Sequence, residues 1–133
     1  MLLLTVFRLA LTFYLVISSP SFASVVGTGI WCEYTVSSGN NYFEGYFFTG
    51  TDVLFFDGAP EKQPRLTENY RLAEDRISWK VDNQLKWGRY NFQRNSLTIQ
   101  RAGRYPDILA TGKCENASLQ QIKTNTEALR KQD

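Results

Sequence analysis

The chain has 133 residues, and its 15 basic and 13 acidic side chains leave a net charge of only +2, too small to indicate a partner and far from what a nucleic-acid binder needs. Histidine is absent, which excludes Ser-His-Asp and Cys-His nucleophile systems and removes the usual general base at neutral pH. Two cysteines without histidine supply too few ligands for zinc, and no phosphate-binding loop or dinucleotide fingerprint occurs, so neither metal nor cofactor is expected.

The chain opens with MLLLTVFRLALTFYLVISSPSFA, residues 1–23. A charged start at Arg8, an apolar run, the helix-breaking Pro20 and small residues Ser21 and Ala23 give the layout of a secretory signal peptide cut after Ala23. The competing reading is an uncleaved anchor, but the unbroken run is about 9 residues where a spanning helix needs roughly 20. The expectation is an exported protein, periplasmic or secreted and not membrane-spanning, with one domain over residues 24–133. In such an oxidising compartment Cys32 and Cys114 most simply form one disulfide; two free thiols in a reducing compartment are the competing reading.

Past the leader, short runs rich in aromatic and β-branched residues alternate with turn residues. They are GIWCEYTV from Gly29, YFEGYFF from Tyr42, VLFF from Val53, LTENYRLA from Leu66, ISWKV from Ile77, LKWGRYNF from Leu85, LTIQR from Leu97 and ILATGKC from Ile108. Within ISWKV, Ile77, Trp79 and Val81 face one way, as do Leu97 and Ile99 in LTIQR; LTENYRLA reads as one strand with a mostly apolar face. Gly88 marks a bulge in the sixth run, because Trp87 before it and Tyr90 and Phe92 after it fall on opposite parities. After Cys114 the period changes to helical. Asn116 is the candidate N-cap of a helix from about 117 to 131 that carries Leu119, Ile122 and Leu129 roughly along one side.

The fold class is therefore all-β: an antiparallel up-and-down barrel, or a sandwich, of about eight strands with a short C-terminal helix. In a closed barrel the first and last strands are neighbours, so a Cys32–Cys114 bridge would lock that seam; a sandwich would also bring the two close.

Gly29-Ile30-Trp31 at the entry to the first strand, seven further strands in a meander and a C-terminal helix together resemble the calycin group, the lipocalin-like barrels. The resemblance implies that Trp31 closes one end of the barrel with an arginine, Arg101 or Arg104, stacked on it, and that a ligand or protein binds at the barrel mouth. The chain departs from that group in lacking a TDY-like motif at mid-chain and in carrying a cysteine beside the tryptophan.

Two features point to binding. YFEGYFF is aromatic on both faces, so Tyr42 and Tyr46 either line a cavity or pack as ordinary core. Charge is also segregated: residues 24–75 hold 8 acidic and 3 basic side chains, and residues 76–133 hold 11 basic and 5 acidic. Between Asp82 and Asp107 no acid occurs, while Lys86, Arg89, Arg94, Arg101 and Arg104 share the segment with Trp87, Tyr90, Phe92 and Tyr105. This reads as a positive, aromatic-studded face for an anionic partner, against the plainer reading of solvated strand edges. The binding candidates are Trp31, Tyr42, Tyr46, Trp87, Arg89, Tyr90, Arg94, Arg101 and Arg104. The expected function is non-enzymatic binding of a small or anionic ligand in the cell envelope or extracellular space. The alternatives are an inhibitor or accessory subunit that docks on a protein, and a carboxylate-dependent hydrolase using Glu44 or Glu68. Asn116-Ala117-Ser118 is a sequon that matters only in a eukaryotic secretory pathway.

Overall fold

The computed structural model describes residues 24–36, 39–58, 65–66, 69–82, 87–103 and 108–132. The expected leader, Glu68, Lys86, Arg104 and Tyr105 lie outside the described residues. The aromatic runs become strands β1 (Gly29–Thr35), β2 (Asn41–Phe48), β3 (Val53–Phe56), β4 (Arg65–Leu66), β5 (Arg71–Ala73), β6 (Arg76–Asp82), β7 (Trp87–Gln93), β8 (Thr98–Ala102) and β9 (Ile108–Ala117), followed by helix α1 (Leu119–Arg130). All nine strands form one sheet in the order β4-β3-β2-β1-β9-β8-β7-β6-β5, and every pairing is antiparallel. One continuous sheet is not a sandwich. It curls on itself into a half-barrel, so that Tyr46 of β2 meets Trp79 of β6 and Tyr90 of β7 across the interior, with ring centroids 5.0 and 5.5 Å apart.

The first and last strands are neighbours, as expected, and Cys32 and Cys114 stand directly opposite each other in the β1–β9 ladder and form the disulfide. The sheet is open elsewhere, between β4 and β5. This corrects the reading of LTENYRLA as one strand: its two ends join opposite edges of the sheet, Leu66 beside β3 and residues 71–73 beside β6. Tyr70, between them, donates a hydrogen bond to the Thr49 carbonyl at 2.9 Å and lays its ring edge-on to Phe48, tying the two halves of the curl at that end. The bulge expected at Gly88 is not there either, since the β6–β7 register runs through the Val81–Gly88 pair without a shift. The irregularity falls between Arg101 and Ala102, in the β8–β9 ladder.

Period-two alternation gives the sheet two different faces. The concave face carries the main core: Ile30, Cys32, Tyr34, Tyr46, Phe48, Val53, Phe55, Ile77, Trp79, Val81, Tyr90, Phe92 and Ile99. The convex face of β1–β3 carries a second apolar layer in which Trp31, Phe43, Phe47, Leu54 and Phe56 pack with Leu119, Ile122 and Leu129 of α1. The double-sided YFEGYFF strand is thus core on one side and helix seat on the other.

Helix α1 begins at Ser118, which corrects the expectation of an Asn116 cap. Ser118 Oγ accepts from the Gln121 amide at 3.1 Å, and Gln121 Oε1 accepts from the Ser118 amide at 2.8 Å, a reciprocal capping box that asparagine at 116 has no partner to build. Asn116 stays in β9, opposite Ile30. Ile122 is fully buried because two glycines make room for it: a Cβ at Gly45 would lie 2.6 Å from Ile122 Cγ2, and one at Gly29 would lie 2.7 Å from Ile122 Cδ1. Ile122→Ala is therefore expected to destabilise the protein by about 3 kcal/mol, read as a shift in the denaturant midpoint. Among the described residues no helix is long and apolar enough to cross a membrane.

Candidate functional site

The concave face is not wholly apolar. Strand β2 points Tyr42, Glu44 and Tyr46 inward at successive alternate positions, and Tyr34 of β1 is the register partner of Tyr42. The Tyr34 and Tyr42 rings stack at 4.8 Å with 12° between planes. Across the interior, Trp79, Tyr90 and Arg101 are direct partners on β6, β7 and β8, so they form a row. Trp79 and Tyr90 stack at 5.3 Å with 7° between planes, and the Arg101 guanidinium carbon lies 5.7 Å from the Tyr90 ring centroid.

Polar atoms link the two sides. Tyr46 Oη donates to Glu44 Oε2, and the Tyr34 and Tyr46 hydroxyls share a hydrogen bond of 2.7 Å. Arg101 Nη1 lies 3.9 Å from Glu44 Oε1 and donates to Tyr42 Oη at 3.4 Å. The Glu44 side chain is 5% exposed and that of Arg101 20%, so Arg101 and the half-buried Tyr42 form the outer layer of the cluster and Glu44, Tyr34 and Tyr46 the inner one. A carboxylate this deep is tolerable because a phenol and a guanidinium attend it.

Burial sets the protonation of the phenols. Desolvation first, then the negative charge of Glu44, pushes Tyr34 well above the ordinary tyrosine range. Desolvation, then the neighbouring Tyr34 and Glu44, does the same to Tyr46. Tyr90 is raised chiefly by burial, and Tyr42 by burial in spite of its hydrogen bond from Arg101. For Arg101, burial alone acts downward, but Tyr90, the Tyr42 hydrogen bond and Glu44 more than offset it, so the guanidinium stays charged. Three buried polar atoms in the cluster have no hydrogen-bond partner among the described residues: Trp79 Nε1, Tyr90 Oη and Arg101 Nε.

Of the expected binding residues, the fold brings together Tyr42, Tyr46, Tyr90 and Arg101. Trp31 is elsewhere. It faces the convex side beneath α1, stacked on Phe43 at 5.9 Å; of the two arginines expected to stack on it, Arg101 lies over Tyr90 instead and Arg104 is outside the described residues.

Nor do the basic residues share a face among the described residues. Arg101 is concave. Arg89, exposed on the convex side, borders a groove of about 570 Å³ with Asn69, Arg71, Lys80, Asn91 and Gln100. Arg94 sits in the β7–β8 turn, where a hollow of about 420 Å³ also meets Glu74 and Asp75. The Trp87 side chain and Arg104 are outside what is described. Tyr34, Glu44 and Trp79 join the cluster without having been singled out for binding. The available signal was Glu44 itself, an acid at an inward position between two tyrosines. Among the described residues no group of three or more cysteines and carboxylates is placed to hold a metal.

No family model, no curated protein and no solved structure matches the chain.

Proposed function

We propose that the protein is an exported, non-enzymatic binding protein that takes a small ligand at the end of the curled sheet marked by Tyr42 and Arg101. One observation carries this reading: the Glu44–Arg101–tyrosine cluster occupies space that an apolar core would fill. A buried ion pair is at best a neutral contributor to stability compared with well-packed hydrophobic side chains, so its presence asks for a use other than holding the fold together. The cluster is charge-balanced, flat-walled and rich in hydroxyls, which suits recognition of a small polar molecule with an aromatic or planar part. The Cys32–Cys114 bridge supports export, since such bonds persist in oxidising compartments.

The test is native mass spectrometry of protein purified from its own source without lipid or detergent, repeated on Arg101→Met. A discrete small adduct on the wild type that is lost from the variant is the expected result. A bare monomer in both would reject the reading and favour a second one, docking on a protein partner. The convex groove around Arg71 and Arg89 supports that alternative, because it offers basic and amide side chains to an acidic surface. A partner that co-purifies with the wild type and is lost from Arg71→Glu with Arg89→Glu is the result that reading expects.

A further inference from the structure

We infer that the row Trp79–Tyr90–Arg101 is the seat of a carboxylate group carried by the small ligand. This inference rests on the binding reading above and specifies the chemistry of its ligand. The three residues are consecutive register partners on β6, β7 and β8; the Trp79 and Tyr90 rings stack, and the Arg101 guanidinium carbon lies over the Tyr90 ring. Each carries one buried polar atom that meets no acceptor among the described residues. Trp79 is 4% exposed and Tyr90 1%, so bulk water does not serve them. Indole Nε1–H and guanidinium Nε–H can only donate, and the phenol donates as readily as it accepts, so the missing complement is an acceptor. Such a group is costly to leave unmatched, and three on adjacent strands of one face form a pattern.

The guanidinium narrows the choice. Arg101 turns Nη1 toward Tyr42 and Glu44, while its Nε meets no acceptor. The edge bearing Nε is one of the two that grip a carboxylate through parallel N–H donors. Glu44 does not fill this place: its Oε2 is taken by Tyr46, and its Oε1 stands 3.9 Å from Nη1. A single water accepts two hydrogen bonds, whereas a carboxylate has about four acceptor positions.

Gly88 adds an independent observation. It lies two residues before Tyr90 on the same face, and a Cβ there would come 3.3 Å from Arg101 Nε and 3.4 Å from Tyr90 Cε2. Its backbone does not require glycine, since the positive-φ glycines among the described residues are Gly27 and Gly39. Glycine there keeps a methyl group from pressing on Arg101 Nε and the Tyr90 ring.

The experiment uses the mature, oxidised protein labelled with 15N. Acetate, benzoate and decanoate are titrated against their amides, and the Trp79 indole N–H signal is followed, assigned by its loss in Trp79→Phe. The expected result is that at least one carboxylate moves this signal and binds at least tenfold tighter than its amide. Tyr90→Phe and Trp79→Phe, which keep a ring, should each weaken it about tenfold, and Gly88→Ala should weaken it while leaving the melting temperature near that of the wild type. Equal binding of acids and amides, or a Trp79 signal that none of the six compounds moves, overturns the inference. If a native adduct nonetheless persists in Trp79→Phe and is lost in Arg101→Met, the binding reading stands and only the assignment of a carboxylate falls. If no adduct forms in any variant and no compound moves the Trp79 signal, both fall.

Discussion

Removing the disulfide, by Cys32→Ala with Cys114→Ala, is expected to lower stability by about 4.5 kcal/mol. The bridge spans a sequence separation of 82 residues, and closing a loop of that length in the unfolded chain has that value in the chain-entropy model. Domains of this size have about 5–15 kcal/mol in all, so the double variant should sit near the edge of folding at 37 °C. The bond's place in the sheet makes the loss acute. Cys32 and Cys114 pair in the ladder between β1 and β9, the strand pairing with the greatest sequence separation. Urea unfolding of the oxidised wild type and the double variant gives the difference directly. A change below about 1 kcal/mol would mean that the unfolded chain is already held together by other residual structure.

The second large effect is alkaline unfolding. Tyr34, Tyr46 and Tyr90 have folded-state values raised above the ordinary tyrosine value of 10.0, burial being the first cause for each. A group raised in the folded state supports stability fully below its unfolded value and loses that support as pH climbs past it. Below pH 10 all three phenols are therefore neutral in both states and the fold keeps its full stability. Above pH 10 the unfolded chain releases three protons that the folded chain retains, and stability falls by about 4 kcal/mol for each further pH unit. Tyrosinate absorbance at 295 nm should therefore show a cooperative step that coincides with loss of the near-ultraviolet dichroism. A gradual rise centred near pH 10 with the fold intact would contradict the buried hydroxyl network.

Much of the strand pattern was legible in the sequence because aromatic runs and turn residues alternate so regularly. The adjacency of Cys32 and Cys114 followed from that layout together with the presence of only two cysteines. Which face of a strand is concave did not, and Trp31 shows why. Parity separates Trp31 from Cys32, but both faces of β1–β3 are apolar, one for the core and one for α1, so alternation carries no inside–outside label there. The glycines that admit Ile122, Gly29 and Gly45, stand on Trp31's face and were the clue to the helix seat. LTENYRLA failed for a different reason: a run with strand character does not say that its halves pair with different partners. The polar cluster needed the register itself. Glu44 and Tyr34 are far from Arg101 in the chain, and only the pairings of β2 with β1, β1 with β9 and β9 with β8 put their side chains on one surface.

The strand order divides the chain into two consecutive meanders, β1–β4 and β5–β9, that meet along the β1–β9 ladder. The second meander sends α1 back over the convex face of the first, and the disulfide crosses the same junction. A protease that cuts the backbone once between residues 66 and 69 would thus produce no separate fragments until a reductant is added. Nicked and intact molecules would have the same hydrodynamic radius and differ in mass by one water. The protein could then pass through a degradative environment with its main chain severed and its two halves still assembled.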